Sequence, residues 1–198
     1  MREIAGAANL SPGNLYNYFR GKHELLYFCQ DSSLDRMIAA LEKARRLRAS
    51  AAEKLRFVIG SHVRCVLEEV EGGAAHLMTT MLPAHLQRRL ISKRDRYEEG
   101  VRQLIAAGSR SEEFVACDAA LAARAVLGAL NWTVRWFHPG GSMTASEIAG
   151  GFAEYLIRGL LAKPERRGRH AKRTLPIMGK YATAGAGDRE AARSFFRG

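Results

Sequence analysis

The sequence has no apolar run approaching the roughly 20 residues that a membrane-spanning helix needs. Among its longest apolar stretches, Leu121 to Leu130 is interrupted by Arg124. No membrane partner is therefore expected. The opening residues, MREIAGAANLSPG, contain neither an apolar core nor a small-residue cleavage site, so no secretory leader is read and the expected location is the cytoplasm. Strand signals are also scarce. No run alternates apolar and polar residues over five positions with β-branched enrichment, and no Asn-Gly or Asp-Gly turn occurs. Cysteine is sparse: Cys29, Cys65 and Cys117 are odd in number and widely spaced, with no CxxC, which excludes a disulfide framework and predicts reduced, buried thiols. His62 and Cys65 stand three apart but lack a third ligand, so no metal site and no cofactor are expected. The chain also lacks GxSxG, HExxH, P-loop and GxGxxG motifs. Its six histidines, His23, His62, His76, His85, His138 and His170, have no nearby nucleophile or paired carboxylates. An enzyme is not expected.

What is present is the composition of a folded globular protein: 198 residues, 47% apolar and 26% charged. The net charge of +11 favours a polyanionic partner. Much of that excess lies from Lys163 onward, where ten Lys or Arg face only Glu165, Asp188 and Glu190. This terminal stretch is glycine-containing and without helical period, and is expected to be a largely disordered tail.

Between turn signals the pattern is helical throughout, which predicts an all-α fold. One long helix is predicted over 22–48, with Arg45, Arg46 and Arg48 suiting its C-terminal dipole. A second is predicted over 50–70, where Ser50 and Glu53 form a capping box. A third runs over 83–107 from Pro83 to a stop at Gly108, and a strongly apolar fourth runs from Asp118 to about Phe137. The last is capped by Thr144 or Ser146 and stops before Pro164.

The most informative segment is REIAGAANLSPGNLYNYFRGKHELL, residues 2–26. Ile4, Ala5 and Ala8 line one face of a short helix, and Leu10 plugs the turn after it. Ser11 then caps a second helix that begins at Pro12, a residue well tolerated at that position. The second helix, Pro12 to Phe19, is too short to be stable alone. It buries Leu15 and Phe19 and presents Gly13, Asn14, Tyr16, Asn17 and Tyr18, with Lys22 adding a cation at the start of the next helix. Asparagine pairs with base edges, tyrosine hydroxyls reach phosphates, and glycine lets backbone approach closely.

With its S-P-G-N-L-Y-x-Y-F string followed by K-x-E-L-L, the segment resembles the helix-turn-helix of the TetR family of bacterial repressors. The stretch LNWTVRWFHPGG and the closing helix EIAGGFAEYLIRGL resemble that family's ligand-binding and dimerising body. Similar sequences belong to fatty-acid or acyl-CoA-responsive regulators. The resemblance implies a division into a helix-turn-helix with its connecting helix over 1–46, a ligand-binding and dimerisation domain over 47–162, and the basic tail over 163–198. It also implies that Ser11, Pro12, Gly13, Asn14, Tyr16, Asn17, Tyr18 and Lys22 face operator DNA, with Asn14 and Asn17 as base readers. In the family a further helix precedes the REIA segment, so either Met1 is internal to a longer regulator, which is the expectation, or the chain is a shortened regulator. The alternative function is a ligand-binding or interaction dimer that has lost DNA binding through N-terminal truncation.

Paired half-sites require a homodimer. The expected seam uses Ala122, Ala125 and Ala129 with Gly128 on one helix, and Phe152, Tyr155, Leu156, Gly159 and Leu160 on the last. An effector cavity is expected to draw its wall from Phe57, His62, Met78, Met81, Trp132 and Trp136, with Arg135 as an anion partner. Methionine and aromatic walls suit an adaptable apolar pocket, in keeping with a fatty-acid or acyl-CoA effector. Such a ligand, binding only the conformation with wrongly spaced reading heads, would release the repressor from DNA.

Overall fold

A computed structural model describes Gly6, residues 11–67 and residues 82–162, and among these the chain is all-helical. The tail from Lys163, the segment 68–81 and most of the first ten residues lie outside the described residues.

Six α-helices follow one another: α1 Pro12–Tyr18, α2 Lys22–Arg46, α3 Ala51–Leu67, α4 Ala84–Arg110, α5 Ala119–Trp132 and α6 Ala145–Leu160. A 3₁₀ turn, Thr133–Arg135, extends α5. The expected fourth helix reached Phe137, but the α-helix ends five residues earlier. There Thr133 turns its hydroxyl back onto the Leu130 carbonyl at 2.6 Å and the chain tightens into the 3₁₀ turn.

The caps written in the sequence form as expected. Glu53 N–H donates to Ser50 Oγ at 3.2 Å while Ser50 N–H donates to the Glu53 carboxylate at 2.9 Å. Thr144 and Glu147 make the same reciprocal pair at α6. At α5, Asp118 accepts from Ala120 and Leu121 N–H, and these bonds hold its carboxyl below the usual carboxylate range. One brace is not readable locally. The Glu113 carboxylate, from the loop after α4, accepts from Ala51 N–H at 2.7 Å and Ala52 N–H at 3.0 Å, tying that loop to the start of α3.

Helix α3 is the axis of the body and packs against α2, α4 and α6. Its buried face, Leu55, Val58, Ile59, His62, Val63, Cys65 and Val66, keeps helical spacing and is almost entirely apolar. Each large side chain withdrawn from water there contributes about 1.5–3 kcal/mol. Gly108 does not end α4, which continues to Arg110. Its bare backbone instead receives the ring of Phe114, a fully buried side chain, and a Cβ at Gly108 would collide with that ring. Phe114 also forms an isolated antiparallel bridge with Leu161, which fastens the end of α6 to the loop after α4. Of the three thiols expected to be buried, only Cys65 is; Cys29 is half-buried and Cys117 exposed. Cys117 precedes the α5 cap, where the chain runs along the surface.

Helices α2 and α4 run parallel. Tyr27 lies beside Arg89, Asp31 and Asp35 beside Lys93, Gln30 beside Arg94, and Arg45 beside Gln103. Their N-terminal ends therefore share one end of the body, the end where α2 receives α1.

Candidate nucleic-acid interface and effector region

Helix α1 spans only seven residues, so its neighbours must hold it. Asn14 N–H donates to the Ser11 hydroxyl at 3.1 Å, closing the N-terminus, and Pro12 supplies a preset φ at the first turn. Leu15 is buried, 5% exposed, and pins the helix to the protein. Phe19 closes the C-terminus with its backbone N–H on the Leu15 carbonyl, and its half-buried ring packs against Phe28 of α2 at 5.3 Å between centroids.

The polar and tyrosine side chains of α1 point outward. Ser11, Gly13, Asn14, Tyr16, Asn17 and Tyr18 are exposed, Tyr16 at 53% and Tyr18 at 71%. Two large aromatic residues left in water beside two amides form a surface that a packing role does not account for. Lys22 is also exposed, at the first position of α2. A cation there opposes the helix dipole, and Gly21 offers no side-chain cap. The adverse charge is offset by Glu24, whose carboxylate accepts from Arg20 N–H at 2.6 Å. Arg20, exposed in the same turn, is a cation that the sequence reading passed over.

In the body, His62 is a buried polar residue among apolar ones, 2% exposed. The Tyr97 hydroxyl lies 3.2 Å from Nδ1 and Asn131 Oδ1 lies 3.2 Å from Nε2. A neutral ring satisfies both contacts, with Tyr97 O–H donating to Nδ1 and Nε2–H donating to the Asn131 carbonyl oxygen. Burial holds the Tyr97 phenol far above its ordinary pKa, so the hydroxyl stays a donor. The triad ties α3, α4 and α5 together.

The other residues expected to line an effector cavity are dispersed. Phe57 is half-buried under the Lys43 ammonium, 5.5 Å from its ring centroid. Trp136 is half-buried and stacks on Phe152 of α6 at 6.4 Å. Trp132 is 62% exposed, with the exposed Arg135 guanidinium 5.8 Å from its ring centroid. Trp132 and Arg135 thus lie on the outside of the body and do not share an enclosed space with His62: Trp132 is the last residue of α5, on the same helical stripe as the exposed Leu121, and Arg135 ends the 3₁₀ turn. Met78 and Met81 lie outside the described residues.

Residues 48–160 match the family of tetracyclin repressor-like C-terminal domains, and residues 1–27 match the bacterial regulatory proteins of the tetR family. The chain belongs to the TetR family. Among solved structures it is similar to the TetR-family transcriptional regulator PfmR from Thermus thermophilus, with 34% identity over 80% of this chain and 87% of that one and a TM-score of 0.68. Two more distant likenesses show the fold. The ketosteroid transcriptional regulator KstR2 of Mycobacterium tuberculosis has 19% identity over 81% and 83% of the two chains, with a TM-score of 0.70. AibR, solved with isovaleryl coenzyme A and operator DNA, has 21% identity over 79% and 85%, with a TM-score of 0.63. A search of the curated proteins gives no match. The fold is that of a TetR-type DNA-binding transcriptional regulator, and the matched family is one of regulators rather than enzymes.

On this TetR-family body, the outward faces of α5 and α6 carry several exposed apolar and small residues. Leu121, Ala125, Gly128 and Trp132 recur at helical spacing along α5, and all are exposed, Leu121 at 67%. On α6, Tyr155 is 64% exposed with the exposed Gly159 one turn on, and Phe152 and Leu156 are half-buried. Ala122 and Ala129 are half-buried, while Leu160 lies in the protomer's own core. The outer stripe of α5 therefore shares Ala125 and Gly128 with the seam read in the sequence, and has Leu121 and Trp132 where that seam had the half-buried Ala122 and Ala129. Small residues attracted the assignment there, whereas the exposed face also carries Leu121 and Trp132.

Proposed function

We propose that this TetR-family regulator is a homodimeric repressor that reads operator DNA with α1 and is released by a small apolar or acyl-type effector. The observation that carries the reading is the exposure of Asn14, Tyr16, Asn17 and Tyr18 on a helix that, among the described residues, is anchored through Leu15, its capping turns and the Phe19 ring. Ser11, Pro12 and Gly13 set the approach of the helix N-terminus to the phosphates. The two asparagines take base edges, the tyrosines take backbone beside the groove, and Lys22 adds an ionic phosphate contact.

We assign residues 1–46 to the reading head with its connecting helix, 47–162 to the sensing and dimerising body, and 163–198 to a basic tail. The α5 stripe of Leu121, Ala125, Gly128 and Trp132, with Tyr155 and Gly159 of α6, is the surface we assign to the partner protomer. It offers apolar area at positions where a facing helix can approach closely. The effector class draws support from AibR, which binds isovaleryl coenzyme A. It draws support also from Phe57 and His62 of α3 and from Trp136 after the 3₁₀ turn, the wall candidates that are buried or half-buried. An effector acts by preferring a body conformation in which the two α1 helices are wrongly spaced, and its power to release DNA is limited by that preference.

The test is fluorescence anisotropy on a duplex selected by the protein from a random pool, titrated with fatty acids and acyl-CoA thioesters of increasing chain length. Release of DNA by one chain-length class at sub-stoichiometric to equimolar effector is the expected result. Tight DNA binding that no member of the series disturbs would contradict the effector class and leave the DNA-reading claim standing.

A further inference from the structure

Helix α2 carries α1 at its N-terminus, and its two halves are held to the body in different ways. In the C-terminal half, Leu34, Met37, Ile38, Leu41 and Ala44 are buried in the core. Leu41 rests on the bare backbone of Gly100 of α4, where a Cβ would collide with it. So close a contact leaves the two helices little freedom to slide. In the N-terminal half no residue of α2 before Gln30 is buried, and Leu26 and Tyr27 are only half-buried against the core. The direction of the first two turns, and with them of α1, therefore depends on how the stretch 30–35 is held.

That stretch meets α4 through polar groups. The Lys93 ammonium lies 2.7 Å from Asp31 and 2.6 Å from Asp35, carboxylates one turn apart on the same face of α2. Burial works against the Lys93 ammonium, but its hydrogen bonds and attraction to the two aspartates prevail and keep it charged. Beside this pair, the buried Gln30 accepts from Arg94 Nη2 at 2.9 Å, and Tyr27 O–H donates to Asp31 at 3.1 Å. A cation that reaches two carboxylates a turn apart fixes both the register and the tilt of α2 against α4, whereas a single pair would leave the helix free to pivot. The Asp35 side chain is 61% exposed, and ion pairs so close to water add little to folding stability. The consequence of this clamp is positional.

The lever it controls is long. At a rise of about 1.5 Å per residue, Lys22 stands about 28 Å from Leu41 along α2, and the clamp stands about 12 Å from it. A displacement of about 1 Å at the clamp becomes about 2.4 Å at Lys22, and up to about 5 Å between two reading heads that move apart. One base-pair step is about 3.4 Å. We propose that Lys93, by gripping Asp31 and Asp35, is the positioning residue that sets the half-site spacing read by the two α1 helices. The proposal rests on the reading of α1 as the operator-reading helix of a homodimer, and adds to it the group that determines spacing.

The experiment measures anisotropy on the duplex selected by the wild type and on two derivatives, with one base pair inserted or removed between the half-sites. Lys93→Gln, and the pair Asp31→Asn with Asp35→Asn, open the clamp while changing the net charge in opposite directions. Lys93→Arg keeps a cation that can reach both carboxylates, and Arg56→Gln, at an exposed position of α3, removes a charge elsewhere. Discrimination against the altered spacings should fall about fivefold in both clamp variants, and no further when they are combined. It should stay at the wild-type level in Lys93→Arg and Arg56→Gln, with all melting temperatures within about 3 °C of wild type. Wild-type discrimination in either clamp variant overturns the proposal, as does an equal loss in Arg56→Gln or losses that add in the combined variant. The aspartate pair keeps the test decisive should Lys93→Gln fail to fold. Amide hydrogen exchange without DNA supplies a second readout: protection over 22–29 should fall about fivefold in both clamp variants while protection over 37–46 holds. Unchanged protection over 22–29 overturns the proposal. A wild type that selects no duplex defeats the DNA-reading claim, and the exchange measurement then still decides the clamp.

Discussion

Replacing Lys22 by Gln separates DNA contact from folding more cleanly than any other single change. Lys22 is exposed and makes no ion pair among the described residues, and as the first residue of α2 it sits where a cation is unfavourable to the helix. Its loss should leave the melting temperature unchanged within about 2 °C, or raise it slightly. If Lys22 neutralises one phosphate in each half-site, a bound dimer loses two counterion-releasing contacts. The slope of log affinity against log salt then falls in magnitude by about 1.8, from roughly 0.9 per phosphate. Between 50 and 200 mM salt, a fourfold change, the wild type should lose about 12-fold more affinity than the variant does. Anisotropy titrations at four salt concentrations on one selected duplex measure this directly. Parallel lines for the two proteins would refute the assignment of Lys22 to a phosphate, whatever their offset.

Three further outcomes follow from the packing. Gly108→Ala places a methyl group into the Phe114 ring and 2.9 Å from Ala51 Cβ, where α4, α3 and the α4–α5 loop meet. It should cost about 2 kcal/mol and lower Tm by about 4–8 °C in a thermal melt. Leu121→Glu combined with Trp132→Glu charges the outer stripe of α5 without touching the core, so sedimentation should shift from dimer to monomer while the helical content by circular dichroism is kept. Asp118→Ala removes the cap of α5. Because the folded-state pKa of Asp118 is depressed, its contribution is present above the unfolded carboxylate pKa and is lost as pH falls through the lower folded value. The Tm difference between wild type and variant should therefore be full at pH 7 and shrink below about pH 4.

Much of the fold was legible because its signals are local. Ser50 with Glu53, Asp118, and Thr144 with Glu147 are caps written within four residues, and the apolar face of α3 is a plain helical period. The exposed face of α1 was legible for the same reason: Leu15 and Phe19 are the apolar positions of a seven-residue helix and its cap, and Asn14, Tyr16, Asn17 and Tyr18 are left to face outward. The errors lie where long-range packing decides. Gly108 resembled a helix stop, but Phe114, six residues on, turns back over it and the helix continues. Trp132 resembled a pocket wall because tryptophan is usually buried, yet its place on the same stripe as Leu121 leaves it in water.

The most direct test of the account is to compare the DNA sequences enriched from a random pool by wild type, by Asn14→Ala and by Tyr16→Ala, with dimer mass verified for each. Wild type should select an inverted repeat with half-site centres about one helical turn, or a multiple of it, apart. Asn14→Ala should lose preference at a symmetric pair of positions, and Tyr16→Ala should retain no duplex. Selection by both variants of the same repeat at wild-type strength would contradict the claim that α1 reads the operator.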